Sequence, residues 1–436
     1  MNTDLLSWGR YPRLPQSGHS ANWRMDLPAL IESVSRTHGS TLPFGNGRSY
    51  GDSCLAASGH VLNIRALDRF IEVDWQNGRI TAEAGVTLAQ ILEISIPNGW
   101  FLAVTPGTQF VTLGGAIAND VHGKNHHVRG TFGNHVTEFG LLHKNETLIC
   151  SPTQNQALFR ATIGGLGLTG VVSWAQIQLI PIQSSQIDST LVRFNNLSEF
   201  FELSSQLDHQ HEYSVAWIDC LAKGEQLGRG IFIVGDHAPY GSLTLNKRNK
   251  LTVPLTPPVS LINNLSLRGF NEAYWRKSPV KRTRIRSEYE PFFYPLDRVL
   301  HWNRIYGNAG FQQFQCVIPD ANAQIAMAQL LKTIADSGNG SFLAVLKRCG
   351  ECNSPGLLSF PLPGASLALD FPQSASLEKL FARLDVIVRE AGGRIYPAKD
   401  AHMSGSDFRT AYPEWEQVEA LRDPSMNSRF WKRVTE

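Results

Sequence analysis

The sequence predicts an α+β protein of two domains, or of one domain carrying a large insertion. Its 436 residues exceed what one core usually organises. Short helix and strand signals alternate through the N-terminal part, separated by glycine loops. From about Ser184 the pattern changes to longer amphipathic and strand-like segments, including Ser214–Asp219 and Gly230–Gly235, which suggests a second domain.

In chain order, Pro28 near a helix start, apolar Leu30, Ile31 and Val34, and Gly39 beyond the end predict a short amphipathic helix. Thr41–Phe44 then enters the loop Gly45-Asn46-Gly47-Arg48-Ser49-Tyr50-Gly51-Asp52, which leads to a strand at Val61–Ile64. A second unit follows: Ile80–Val86 alternates like a strand, and Leu88, Ile91 and Leu92 have helical spacing before Pro97. Gly165-Leu-Gly167-Leu-Thr-Gly170 matches the dinucleotide fingerprint GxGxxG, but helix-like Gln156–Thr162 precedes it and strand-like Val171–Ile180 follows. The fingerprint needs the reverse order, so that a helix N-terminus meets the pyrophosphate, and a nicotinamide site is rejected here.

The densest chemistry lies in Thr108–Val136. Gly114 and Gly115 let backbone N–H groups approach a ligand, while His122, Lys124, Asn125, His126 and His127 concentrate donors and cations, so an anionic cofactor is expected. His122 and His126 are four apart, but no Cys or carboxylate completes a metal set nearby and Gly123 weakens a helix there. No metal is expected.

A net charge of +2 gives no polyanion signal, so nucleic acid is not expected as a partner. The N-terminus lacks a signal-peptide core and no run of about 18 apolar residues occurs, which reads as cytoplasmic. Six scattered cysteines read as reduced thiols, the lone Cys349-Gly-Glu-Cys352 included. Within the second domain, apolar and proline-rich Leu251–Leu267 is bracketed by Lys247, Arg248 and Lys250 and by Arg276, Lys277, Lys281, Arg282, Arg284 and Arg286. Over 247–286 this suits contact with an anionic membrane surface or an amphiphilic phosphate, and a solvated loop is the competing reading.

Taken together and in order, GNGRSYGD, AEAGV, VTPGTQFVTLGGAIANDVHGKNHH, GNHV and IGGLGLTGVV resemble the vanillyl-alcohol-oxidase/PCMH superfamily of FAD flavoenzymes, and within it the decaprenylphosphoryl-β-D-ribose 2-oxidase family. The likeness continues through AWID, YWRKS, YPLD, FQQFQCVIP, SFPLPG, LDFP and IYPAKD, over nearly the whole chain. It implies a PCMH-type FAD domain at 1–183, an inserted substrate domain on an antiparallel sheet at 184–393, and a segment 394–436 returning to the FAD domain. By the same likeness the cofactor contacts come from Gly45–Gly51, Pro106, Gly107, Thr108, Thr112, Gly114, Gly115, Ala118, Asn119, His122, Gly123, Asn125, His127, Gly167, Gly170, Val171, Tyr396 and Lys399. Superfamily members with covalent FAD often carry His where Arg48 stands, so FAD is expected to be non-covalent.

The reaction this resemblance implies is oxidation of the C2 hydroxyl of a polyprenyl-phosphoryl ribose to the 2-keto sugar. A partner short-chain reductase would complete an epimerisation to the arabinose in cell-envelope polysaccharide synthesis, at the inner face of the plasma membrane. Lys399 would hold negative charge on the reduced ring and polarise the hydroxyl; His122 and Lys124 are the other catalytic candidates, with the imidazole a candidate base. Tyr50, Trp217, Gln313, Gln315, Lys347 and Ala368 would line the substrate pocket. Mycobacterial members carry Cys at the Ala368 position, so thiol-trapping inhibitors of those enzymes are not expected to react here. The alternatives are an aldonolactone or alditol oxidase acting on a soluble sugar, a flavin-binding protein without turnover, and a nicotinamide-dependent reductase.

Overall fold

A computed structural model describes residues 5–245, 249–278 and 282–436. The first unit contains a small parallel sheet of β1 (Ser17–Ser20), β2 (Pro43–Phe44) and β3 (His60–Asn63), with β3 central. The predicted helix spans Leu27–His38: Pro28 sits in its first turn, Leu27, Ile31 and Val34 are buried, and Gly39 ends it at φ 84°.

An antiparallel sheet follows, built from β4 (Phe70–Asp74), β5 (Arg79–Glu83), β6 (Trp100–Leu102), β7 (Val136–His143), β8 (Glu146–Cys150) and β9 (Val171–Pro181). The strand expected to reach Val86 ends at Glu83 and is buried on both faces from Ile80 onward, because it pairs with β4 and β9 and lies inside the core. Gly85 turns the chain there, and Thr87 with Gln90 forms a capping box that starts the helix Leu88–Ser95. The segment Gly165–Gly170 does lie between the helix Gln156–Thr162 and β9, the order that excludes a nicotinamide fingerprint.

The rest is dominated by an eight-stranded sheet. Its strands are β10 (Gln186–Phe194), β11 (Tyr213–Ile218), β12 (Gly230–His237), β14 (Thr283–Glu288), β16 (Phe311–Pro319), β17 (Ala344–Cys349), β18 (Gly364–Pro372) and β19 (Arg394–Ile395), while β13 (Leu251–Thr252) and β15 (Val299–Leu300) form a separate ribbon. Strand alternation gives this sheet two different faces. Phe314, Cys316, Ile318, Leu346, Leu367, Leu369 and Phe371 share one buried cluster with the helices Leu197–Leu207, Ala323–Ser337 and Leu377–Glu390. Gln313, Gln315, Lys347, Ala368 and Asp370 alternate with them and point the other way, toward the first unit. All six cysteines are unpaired.

After β19 the chain returns to the N-terminal unit. Tyr50 N donates to Ala398 O at 3.0 Å and Asp52 N to Asp400 O at 3.3 Å; Thr41 and Ala56 bridge to Met426 and Ser428. Arg433 closes this junction, donating to Asp52 Oδ1 and to Asp400 Oδ2 at 2.8 Å each, with both carboxylates buried. Arg433→Ala would leave two buried carboxylates facing one another, which costs about 3–5 kcal/mol. Urea unfolding is the check: a midpoint equal to wild type would show that the junction holds without its cation.

Candidate active site

Between the large sheet and the first unit lies a cavity of about 400 Å³. Its floor on the N-terminal side is mostly main chain: Gly45–Tyr50, Pro106–Thr108, Thr112, Gly114, Gly115, Ala118 and Asn119, with Gly167 and Gly170. Thr112 caps the helix Leu113–Ala118 by accepting from Gly115 N at 3.1 Å, and Asn46 Nδ2 donates to Phe110 O at 2.7 Å, so the two glycine segments are fastened to one another. Arg48, half-buried here, lies over the Trp8 ring at 4.2 Å and donates to Asn46 O. Burial pulls its guanidinium down to about 10, more than nearby Asp297 can offset.

The opposite wall is the large sheet. Gln313 pairs with Asp370 and Gln315 with Ala368 across β16 and β18, and Ala368 pairs with Val345 on β17. Gln315 Nε2 lies 3.0 Å from His122 Nε2, and His122 Nδ1 has no hydrogen-bond partner. Lys347 Nζ donates to Gly123 O at 2.6 Å, Lys124 Nζ to Phe293 O at 3.3 Å, and Lys399 Nζ lies 3.7 Å from the centre of the Tyr50 ring. Tyr396 donates to Asn119 O at 2.7 Å, anchoring the segment that carries Lys399.

Three lysines, Lys347 buried and Lys124 and Lys399 half-buried, therefore converge with little opposing charge. Burial lowers Lys124 to about 8 and also lowers Lys347; His122 is held well below the usual imidazole range by burial, then by Lys347, His126 and Lys399. Asp370 is the buried carboxylate among them. Gln313 donates to its Oδ1 at 2.5 Å and its Oδ2 has no partner; burial raises it, and burial lowers Lys399 while Asp370 pulls the ammonium back up. An electropositive, water-poor chamber of this kind suits an anion or charge that develops during reaction.

Five expected contact residues are set back from the cavity. Gly51 packs against Asp400, where a Cβ would stand 1.6 Å from the carbonyl oxygen. Asn125 clamps Ala103 O and Glu212, at 2.8 and 2.9 Å, and His127 Nε2 lies 3.0 Å from His211 O. Val171 is core, its neighbour Val172 facing the cavity, and Trp217 donates to Phe342 O at 2.9 Å with its ring edge-on to Tyr274. Conversely Asp370, Asp297 and Trp8 line the cavity unforeseen. Asp370 was within reach of the sequence, being two residues after Ala368 on a strand and hence on the same face.

At the mouth, β13 pairs with β15, whose Val299 and Leu300 line the cavity. Beyond it Leu255, Val259, Leu261 and Leu265 are exposed. Of the expected basic bracket, Lys247, Arg248 and Lys281 lie outside the described residues. Arg286 and Arg276 are neutralised by Asp188, at 2.6 Å, and by Glu272, so they add less positive charge than their number suggests. Among the described residues no helix is long and apolar enough to cross a membrane.

Comparison with known proteins adds the chemistry. The FAD binding domain family matches residues 24–151. The decaprenylphosphoryl-β-D-ribose oxidase of Mycolicibacterium smegmatis is 34% identical, covering 96% of this chain and 94% of that protein. L-gulonolactone oxidase of Bos taurus is 29% identical over 34% of each chain, and the human Δ(24)-sterol reductase 30% over 26% of this chain and 22% of its own. The two partial matches cover about a third of this chain or less; the mycobacterial oxidase spans the glycine loops, the sheet that carries Lys347 and the returning C-terminal segment alike. The chain therefore belongs to the decaprenylphosphoryl-β-D-ribose oxidase family of FAD-dependent oxidoreductases, which act on CH–OH groups.

Proposed function

We propose that the protein oxidises the C2 hydroxyl of a polyprenyl-phosphoryl ribose to the 2-keto sugar, using FAD held without a covalent bond. The observation that carries this reading is the convergence of Lys399, Lys347, Lys124, His122 and Asp370 on one side of a cavity whose other side is glycine backbone. The residues present fit FAD. Gly45–Tyr50 and Thr112–Gly115 offer backbone N–H groups to a diphosphate, Arg48 is a half-buried cation beside them, and Gly107 is open, with nothing within 4 Å of a Cβ. With Arg48 standing where histidine makes the covalent link, acid-denatured protein should release all its flavin into the supernatant. The cofactor supplies a two-electron acceptor for the substrate's hydride.

The side chains divide the remaining work. Lys399, held over the Tyr50 ring and drawn back toward its charged form by Asp370, would stabilise negative charge on the bound cofactor or on the sugar oxygen. His122, ringed by lysines, stays neutral and orients the hydroxyl together with Gln315. Asp370 Oδ2 then receives the hydroxyl proton: its partnerless oxygen and raised affinity for a proton suit an acceptor better than an imidazole that resists charging. Lys347 and Lys124 bias the chamber toward an anionic substrate group. Exposed Leu255, Val259, Leu261 and Leu265, beside Lys250 and Arg268, support an approach to lipid at the inner face of a membrane, and a short-chain reductase would take the keto sugar onward.

Lys399→Ala should retain FAD but slow flavin reduction by about two to three orders of magnitude in stopped-flow experiments. Wild-type rates would remove it from the mechanism. In the wild type, reduction should accelerate as pH rises and the carboxyl of Asp370 loses its proton, then slow as the Lys399 ammonium loses its own; Asp370→Asn should abolish the rising limb and cost about 10²–10⁴-fold. Loss of the same limb in His122→Gln instead would return the acceptor role to the imidazole. For the substrate, anaerobic addition of polyprenyl-phosphoryl ribose should bleach the flavin absorbance while L-gulono-1,4-lactone and NADPH do not. Bleaching by the lactone or by NADPH alone would transfer the assignment to a soluble-sugar oxidase or to a reductase.

A further inference from the structure

Away from the cavity, three histidines from three different elements meet. His19 lies on β1, His60 on β3 and His38 is the last residue of the helix Leu27–His38. One ring nitrogen from each lies within 4.8 Å of the other two. His19 Nε2 is 3.0 Å from His60 Nδ1, and the rings of His38 and His60 stack with centroids 3.5 Å apart and planes 7° from parallel. None of the three lines the cavity, and His38 is exposed while the other two are half-buried.

Each imidazole offers a ring-nitrogen lone pair, and the three nitrogens lie together. A nitrogen-only set of this kind favours first-row transition metals over Mg²⁺ or Ca²⁺, and three histidines leave a fourth tetrahedral position for water. We propose that His19, His38 and His60 form a surface site for a divalent transition metal, Zn²⁺ being the best match to three nitrogens and an open position. The scaffold suits this role: two ligands stand on paired strands and the third on a helix end closed by Gly39, so backbone positions are fixed. Donors on one zinc lie about 3.4 Å apart, from a Zn–N bond of about 2.0–2.1 Å. The His38–His60 stack must therefore open by ring rotation so that both lone pairs aim at one point, which exposed His38 is free to do. Bound there, the ion ties the helix to β1 and β3. The strand β1 follows the N-terminal segment bearing Trp8, whose backbone runs along the glycine loop through Trp8 N donating to Ser49 O at 2.8 Å.

The test uses tag-free, FAD-loaded full-length protein stripped with a chelator and titrated calorimetrically with ZnCl₂, with MgCl₂ as the control. One Zn²⁺ per chain with no Mg²⁺ uptake is expected, together with a rise in melting temperature on adding Zn²⁺. His38→Ala, chosen because the side chain is exposed at a helix end, and His60→Ala should each weaken binding by at least about tenfold while flavin reduction stays at the wild-type rate. Cys352→Ser should bind as wild type does. No saturable Zn²⁺ binding by the wild type, or stoichiometry and affinity unchanged in folded His38→Ala, would overturn the proposal.

Discussion

The cavity depends on one junction, the short main-chain pairing that traps the loop Ser49–Asp52 between two distant pieces of chain. On one side Trp8 and Gly9 donate to Ser49 O and Tyr50 O; on the other Tyr50 and Asp52 donate to Ala398 O and Asp400 O. The approach is so close that residue 51 must lack a side chain, since a Cβ would collide with the Asp400 carbonyl. Lys399 sits inside this pairing, so the ammonium that faces Tyr50 is positioned by backbone hydrogen bonds rather than by its own flexible stem.

Electrostatically the cavity is unbalanced by construction. Burial disfavours every one of its cations, and the protein meets that cost with backbone carbonyls, an aromatic face and two carboxylates, Asp370 and Asp297, instead of a full set of counterions. Structural ion pairs elsewhere are handled differently: buried Arg229 meets Asp219 at 2.9 Å, and Arg433 satisfies two carboxylates. Charge left unpaired inside a cavity of otherwise well-matched surroundings marks the place where the protein expects a partner to bring the opposite sign.

Local signals in the sequence are legible where a single element decides the outcome. Pro28 and Gly39 bracket a helix, and the order of elements around Gly165–Gly170 rules out a dinucleotide fingerprint there. The glycine segments and the dense His122–Lys124 run line the cavity. Tertiary placement was less legible. Asn125 and His127 belong to the same dense run, yet a turn of chain between Gly123 and His126 directs them to Glu212 and His211. Trp8 carries no motif, and Asp297 stands in the quoted YPLD without a signal for the cavity; packing brings both there. The cluster of His19, His38 and His60 likewise follows from a parallel strand pair and a helix end, with no spacing in the chain to announce it.

The trapped loop also fixes an order of assembly. The glycine loop is made early and its clamps come from opposite ends of the described chain, with most of the polypeptide between Tyr50 and Lys399. A nascent chain on the ribosome can form the first sheets, but it cannot close the cavity until the segment bearing Lys399, Asp400 and Arg433 has emerged. Closure of the cavity is therefore a late event, set by the emergence of Lys399, Asp400 and the helix Arg429–Thr435 that carries Arg433.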